Sequence, residues 1–464
     1  MTFASMVFLY AFLPVVLLLY YLLPRKCRNV FLLLANIVFY GWGEPQFLLV
    51  IAFACVFNFF FGRAIERHRA DPRRARRILA AAIVVDVALL VVFKYTNFVT
   101  GMLHAAIPAL PPSKIPLPLG ISFYTFHVLS YLIDVYRADA HAQKSLVRFG
   151  TYMSLFPQMV AGPIVRYKDI EGQLGIRHEN MARFASGVKV FLIGLGKKVL
   201  IANQMGRLWD MLQQPDAQLG MVGAWGGALA FTFQIYFDFG GYSDMARGLG
   251  RMFGFELPIN FDYPYIARSV TEFWRRWHIS LSQWFRDYVY IPLGGSRRGL
   301  SRTIANLLVV WLLTGMWHGA NWNFILWGLF YFVFLALEKL FLRKWLDRAP
   351  AFVAHLYTIL VFMLGWVLFA VEDFGGLGRY FGLLFGAGGF AAGADAASTL
   401  LSYAPLLAVA ALGSLPVLRN LWTRCTAHIR AAWLPEAVGC AVLLVLCTAS
   451  LISQSYNPFL YARF

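Results

Sequence analysis

Charged residues are scarce in this chain: Asp, Glu, Lys and Arg make up 14% of its 464 residues, against about 25% in a soluble domain. Acidic residues are the scarcer kind, 23 against 41 Lys and Arg. A solvated surface around the whole chain is therefore excluded. No GxSxG elbow, Walker loop or HExxH helix occurs, which removes the serine-hydrolase, P-loop and zincin chemistries. The five cysteines have no metal-ligand spacing and mostly sit in apolar runs, where they read as small buried hydrophobes. There is no long linker, no stretch polar enough for a soluble domain, and no internal repeat of the kind that marks paired transporter halves.

What the chain does have is long uncharged apolar runs, at 6–23, 30–43, 46–61, 352–371, 399–418 and 437–462. A bilayer core of roughly 30 Å takes about 20 helical residues to cross. So many runs in one chain predict an all-α polytopic membrane protein. The expectation is one membrane domain over 1–464, with about ten to twelve transmembrane or re-entrant helices. The first run lacks a basic flank before it and reads as a retained span rather than a signal peptide. The second and third runs are short for a span.

The net charge of +18 does not point to nucleic acid, because the basic residues are grouped between the apolar runs. Arg25, Lys26 and Arg28, the arginine-rich loop at 62–77, and 137–148 alternate with loops that lack Lys and Arg. Positive loops stay in the cytoplasm. The reading is a multi-pass protein of the bacterial inner membrane with its N-terminus in the periplasm. Residues 339–348 and 419–430 are also cytoplasmic on this reading, and the glycine-rich 372–398 is an outer loop without chemistry. Through the middle, the runs at 149–162, 186–202 and 221–239 are interrupted by Gly, Pro and polar residues, which predicts broken or re-entrant segments around a cavity.

Two polar stretches stand out. In TEFWRRWHISLSQWFRDYVYIPLGGSRRGLSR (271–302), a helix would put Trp274, Arg275 and His278 on one face. Trp, Tyr and Arg together suit a membrane interface. They equally suit a basic vestibule for an anionic substrate, with Arg275 and Arg276 as planar phosphate donors. In WLLTGMWHGANWNFILWG (311–328), His318 falls between apolar runs, flanked by Trp317 and Asn321, at the deep end of a hairpin entered from the cytoplasm. An ionisable group at membrane depth marks a functional site unless it is a neutral histidine bonded between helices. Gly315 and Gly319 permit a close approach or a helix break, and Asn321 is placed to orient an imidazole. Asp238 and Asp244 read as structural ion-pair partners of Arg247 or Arg251. His68, His104, His127, His141, His178, His355 and His428 have no ligand spacing and receive no role, and no metal site is expected.

The chain resembles the membrane-bound O-acyltransferase family. The blocks that carry the likeness are NIVFYGWGEPQFLLV, FKYTNF, LPLGISFYTFHVLSYLIDVYR, FPQMVAGPIVRY, YFDFGGYSDMARGLG, SVTEFWRRWHISLSQWFRDYVYIPLGG, MWHGANWNFILWG and the tail YNPFLYARF. It is strongest over 115–330, weak over 375–430, and nearest to the branch that acetylates exopolysaccharides such as alginate. The resemblance implies a funnel or tunnel between the membrane faces. His318 matches the deep catalytic histidine, here a general base on the acceptor hydroxyl. His278 matches the second polar position, polarising the thioester carbonyl or orienting the donor, with a structural role as the alternative. It implies acetyl-CoA as a cytoplasmic donor, held by Arg275, Arg276, Trp274 and Asp287, with Trp317 and Asn321 supporting the site and no bound cofactor. It also implies periplasmic acetyltransferase or acceptor proteins as partners and an envelope polysaccharide as final acceptor. Cellulose, peptidoglycan or teichoic acid as acceptor, and a non-catalytic transporter, are the alternatives.

Overall fold

The computed structural model describes residues 1–214, 218–426, 433–453 and 456–460. His428 and the last four residues of the tail block lie outside the described residues. The protein is an all-α multi-pass membrane protein. Among the described residues, seven helices are long and apolar enough to span a bilayer.

The N-terminal helices are α1 (Leu13–Leu22), α2 (Arg28–Gly41), α3 (Leu48–Arg67), α4 (Pro72–Ala106) and α5 (Ile121–Arg137). The third apolar run is longer than expected, since Pro45–Arg67 covers 23 residues. α2 remains short, at 14 residues. α4 begins where Asp71 accepts from the backbone N–H groups of Arg73 and Arg74 and Pro72 occupies its first turn. Its 35 residues rise about 52 Å, so it overshoots the bilayer core.

The middle is only partly broken. α6 (Leu146–Ser154) and α7 (Phe156–Met159) are separated by Leu155, and buried irregular backbone follows, as the prolines predicted. After α8 (Tyr167–Gly175), however, 186–202 and 221–239 are helical throughout. The first lies in α9 (Met181–Gly196), which runs through a π-turn at Lys197–Ala202 into α10 (Asn203–Leu212). The second lies in α11 (Gly220–Met252), a buried helix of 33 residues. Glycine here serves packing. A Cβ on Gly194 would stand 2.5 Å from the Gly241 carbonyl oxygen, so the two backbones touch where α9 crosses α11. The polar residues are tolerated because other helices surround α11 and shield it from lipid.

The site is built by α12 (Val270–Arg276), α13 (Ile279–Phe285), α14 (Leu300–His318) and α15 (Trp322–Leu337). A one-turn α16 (Arg343–Leu346) leads to α17 (Ala351–Ala370). The region read as a plain outer loop contains α18 (Phe374–Leu384), tied to α11 by Tyr380 Oη donating to the Ala224 carbonyl and Trp225 Nε1 to that of Leu384. α19 (Ala394–Gly413), α20 (Val417–Thr426) and α21 (Trp433–Ser453) complete the order. Leu49, Leu401 and Ile452 are among the large apolar side chains on the lipid-facing surface. Of the cysteines only Cys447 is buried; Cys27 and Cys425 are exposed, because their helix ends lie at the periphery.

Candidate active site

α14 and α15 form the hairpin anticipated for 303–341, and His318 is the last residue of α14. It lies about 27 Å along the helix from Leu300, which begins the basic end. The two glycines divide the work. A Cβ at Gly315 would meet the Phe324 carbonyl oxygen at 2.4 Å, so Gly315 allows the hairpin to close. Gly319 is extended and ends the helix. Asn321 does not reach for an imidazole. Its side-chain oxygen accepts from the Trp322 backbone at 2.6 Å and caps α15.

His318 is 2% exposed, and its ring packs against Trp317, Trp327 and Phe369 at 4.8, 4.9 and 5.4 Å between centroids. The His278 ring also packs near the Trp317 indole, 6.0 Å away between centroids. Residues forty apart in sequence thus meet at one ring.

His278 does not share a helical face with Trp274 and Arg275. α12 stops at Arg276, and His278 sits between α12 and α13 with φ +44°. The left-handed region costs a Cβ-bearing residue roughly 1–2 kcal/mol, and such strain persists where the surroundings over-determine it. Asn260 is the over-determining residue, and the sequence reading missed it. Its Oδ1 accepts from the Ser280 backbone (3.2 Å) and the Ser280 hydroxyl (2.9 Å), and its backbone carbonyl from Ile279 (3.0 Å). Its Nδ2 donates to Ser243 on α11 at 3.2 Å. An oxygen already receiving a backbone N–H is an acceptor, so His278 Nδ1, 3.2 Å away, is the donor. In the neutral ring, Nε2 then carries the lone pair. The signal available beforehand was weak, a lone Asn in PINFDYPY with no charge or spacing to mark it.

A cleft of about 230 Å³ opens between α12, α13, α14 and α15. Arg275 and Arg286, both exposed, stand at its mouth, and the buried Trp274, Trp311 and Thr314 form its floor. Thr314 is one turn before His318 on the same face of α14, about 6 Å along the axis. Trp274, Trp311 and Trp327 pack ring to ring from the floor toward His318, at 4.7 and 5.9 Å for successive pairs. The indole N–H groups of Trp274 and Trp327 are buried without a hydrogen-bond partner among the described residues.

The other expected donor-site residues separate. Arg275 lines the cleft and forms no ion pair among the described residues. Arg276 turns away, to Glu272 (3.0 Å) and Asp262 (3.3 Å). Burial alone would raise the Glu272 carboxyl, but donors from the Arg268 backbone and Arg276 hold it below the ordinary carboxylate range. Asp287 is locked between Arg166 (2.5 Å) and Arg286 (2.8 Å), off the cleft lining. Asp244 pairs with Arg247, as anticipated, and with Lys197. Asp238 instead pairs with Lys198 at 2.6 Å, and Arg251 with Glu256.

Sequence comparison gives this arrangement its context. The sequence model of MBOAT, the membrane-bound O-acyltransferase family, matches residues 119–372. The chain is 40% identical over 504 residues to the "probable alginate O-acetylase" of Azotobacter vinelandii, covering 100% of both chains. It is 39% identical over 496 residues to the protein of the same name from Pseudomonas putida, again covering 100% of both. To the peptidoglycan O-acetyltransferase of Helicobacter pylori it is 34% identical over 408 residues, which are 80% of this chain and 77% of that one. The family match over more than half of the chain, and a likeness to acetylases that runs end to end, identify the chain as a membrane acyltransferase that belongs to the membrane-bound O-acyltransferase family.

Proposed function

We propose that the protein transfers acetyl groups from acetyl-CoA on the cytoplasmic side of the bacterial inner membrane toward an exopolysaccharide of the alginate type in the periplasm. The observation that carries this reading is the position of His318, buried one turn beyond a cleft whose mouth is basic. The full-length likeness to alginate O-acetylases supports the choice of acceptor.

Arg297 and Arg298 just before α14 and Arg302 in its first turn face the cytoplasm by the positive-inside rule, and on this reading the donor enters the cleft from that side. The donor's phosphates meet Arg275 and Arg286, and its amide-bearing arm lies along the apolar walls toward Trp274. His318, at the far end of the helix, is reached by the acceptor from the periplasmic side. There Nε2 or Nδ1 takes the hydroxyl proton, the hydroxyl oxygen bonds to the acyl carbon, the carbon–sulfur bond breaks, and the proton passes to the departing thiolate. His278 orients rather than polarises. With Nδ1–H committed to Asn260, a neutral ring has no N–H left to offer a carbonyl. On this reading periplasmic partner proteins pass the acetyl group on to the polymer, and the whole chain acts as one membrane domain.

Two measurements test this. Cells with and without the gene are compared for polymer-bound acetate, and loss from alginate-type polymer is expected. Loss from peptidoglycan alone would move the acceptor to that polymer. In purified protein, Arg275→Ala is expected to raise the KM for acetyl-CoA about ten-fold, the worth of one charge-assisted hydrogen bond. Arg276→Ala, whose guanidinium serves Glu272 and Asp262, is expected to leave that KM within about two-fold. Equal effects of the two would remove the donor assignment from the cleft.

A further inference from the structure

Lys94 lies in the block FKYTNF and is 7% exposed near the middle of α4, yet no carboxylate pairs with it among the described residues. A buried ammonium needs some compensation. The structure supplies it from the end of α14. The last carbonyls of a helix lack intrahelical donors and carry the negative end of its dipole. Tyr95 Oη donates to the Met316 carbonyl, and Lys94 Nζ donates to that of Trp317. Two adjacent residues of α4 thus satisfy two adjacent carbonyls just before His318. Lys94 also donates to Ser122 Oγ at 3.1 Å, and Trp317 Nε1 donates to the Ser122 carbonyl at 3.3 Å. The ammonium stands 5.8 Å from the Trp317 ring centroid. Lys94, Ser122 and Trp317 therefore close a ring of three hydrogen bonds that ties α4, α5 and α14 together.

The tied indole is the one that both His278 and His318 pack near. We infer that Lys94 and Tyr95 are positioning residues for acyl transfer: they clamp the C-terminal turn of α14 and so fix His318 and Trp317 relative to His278. The clamp acts through the end of α14. This inference rests on His318 being the base.

The test uses full-length protein purified in detergent, with kcat and acetyl-CoA KM measured per folded molecule and thermal unfolding recorded for each variant. Lys94→Met keeps an unbranched side chain one atom shorter and removes the ammonium group. It is expected to lower kcat by about ten-fold or more with the donor KM within two-fold. Tyr95→Phe deletes one hydroxyl, carries the test if Lys94→Met does not accumulate, and is expected to lower kcat several-fold with the same unchanged KM. A general loss of structure would instead move unfolding and KM together, which would overturn the inference. If His318→Ala abolishes transfer while both clamp variants keep kcat within two-fold, the clamp alone falls. If His318→Ala retains full kcat, the base assignment falls and takes the clamp's role with it.

Discussion

His318→Ala is expected to lower acetyl transfer by about 10²–10⁴-fold, the range that one positioned general base contributes. Protein level and insertion should remain near those of the parent. The side chain is buried among Trp317, Trp327 and Phe369, so its removal leaves a small cavity in a wall of rigid rings. His318→Gln separates the roles further. Glutamine refills the space and offers hydrogen bonds, but has no basic nitrogen, so it should restore stability and not kcat. The measurement is initial acetyl transfer from labelled acetyl-CoA to an alginate oligosaccharide, with any partner protein supplied in excess. Transfer by His318→Gln at more than a tenth of the parent rate would remove proton abstraction at this residue from the mechanism.

His318 was legible in the sequence because a histidine between two apolar runs is costly unless something uses it. The hairpin followed from the basic-rich ends at 297–302 and 339–348, which put both of its feet on the cytoplasmic side. His278 was legible only as a residue type. Its geometry was not, because helical periodicity assumes the helix continues, and α12 ends two residues before it. What holds His278 off the helix is Asn260, eighteen residues upstream, and that contact belongs to the tertiary structure. The same limit explains the acid and arginine assignments. Arg275 and Arg276 are neighbours with the same chemistry, and the turn of one short helix sends the first to the cleft and the second to Glu272. The glycines of α11 misled for a physical reason. In water-soluble helices glycine weakens the helix, whereas between membrane helices it allows the backbones to meet.

Lys198→Ala is expected to be among the most destabilising single changes in the protein. Lys198 and Asp238 form a buried pair at 2.6 Å, between the π-turn after α9 and the centre of α11. Breaking such a pair from one side leaves an uncompensated charge and costs about 3–5 kcal/mol. More than the pair is lost, because the tail docks on it. Lys198 Nζ donates to the Pro458 carbonyl, and the Leu460 backbone N–H donates to Asp238 Oδ2 at 2.9 Å. Asn457 reaches the Ala4 carbonyl at 2.6 Å, and Phe459 stacks on Tyr242, which stacks on Phe3. The expected readouts are a melting temperature in detergent lowered by several degrees and faster digestion of the tail by carboxypeptidase. Lys198→Met combined with Asp238→Asn should recover much of the loss, since the lone charge rather than the missing attraction is what costs most. A double variant no more stable than Lys198→Ala would overturn that account. The effect should also reach the active site. Phe239, next to Asp238, packs on His278 at 4.7 Å, and Ser243 on the same helix accepts from Asn260. The folded fraction of Lys198→Ala is therefore expected to lose activity as well as stability, and the double variant to regain both together.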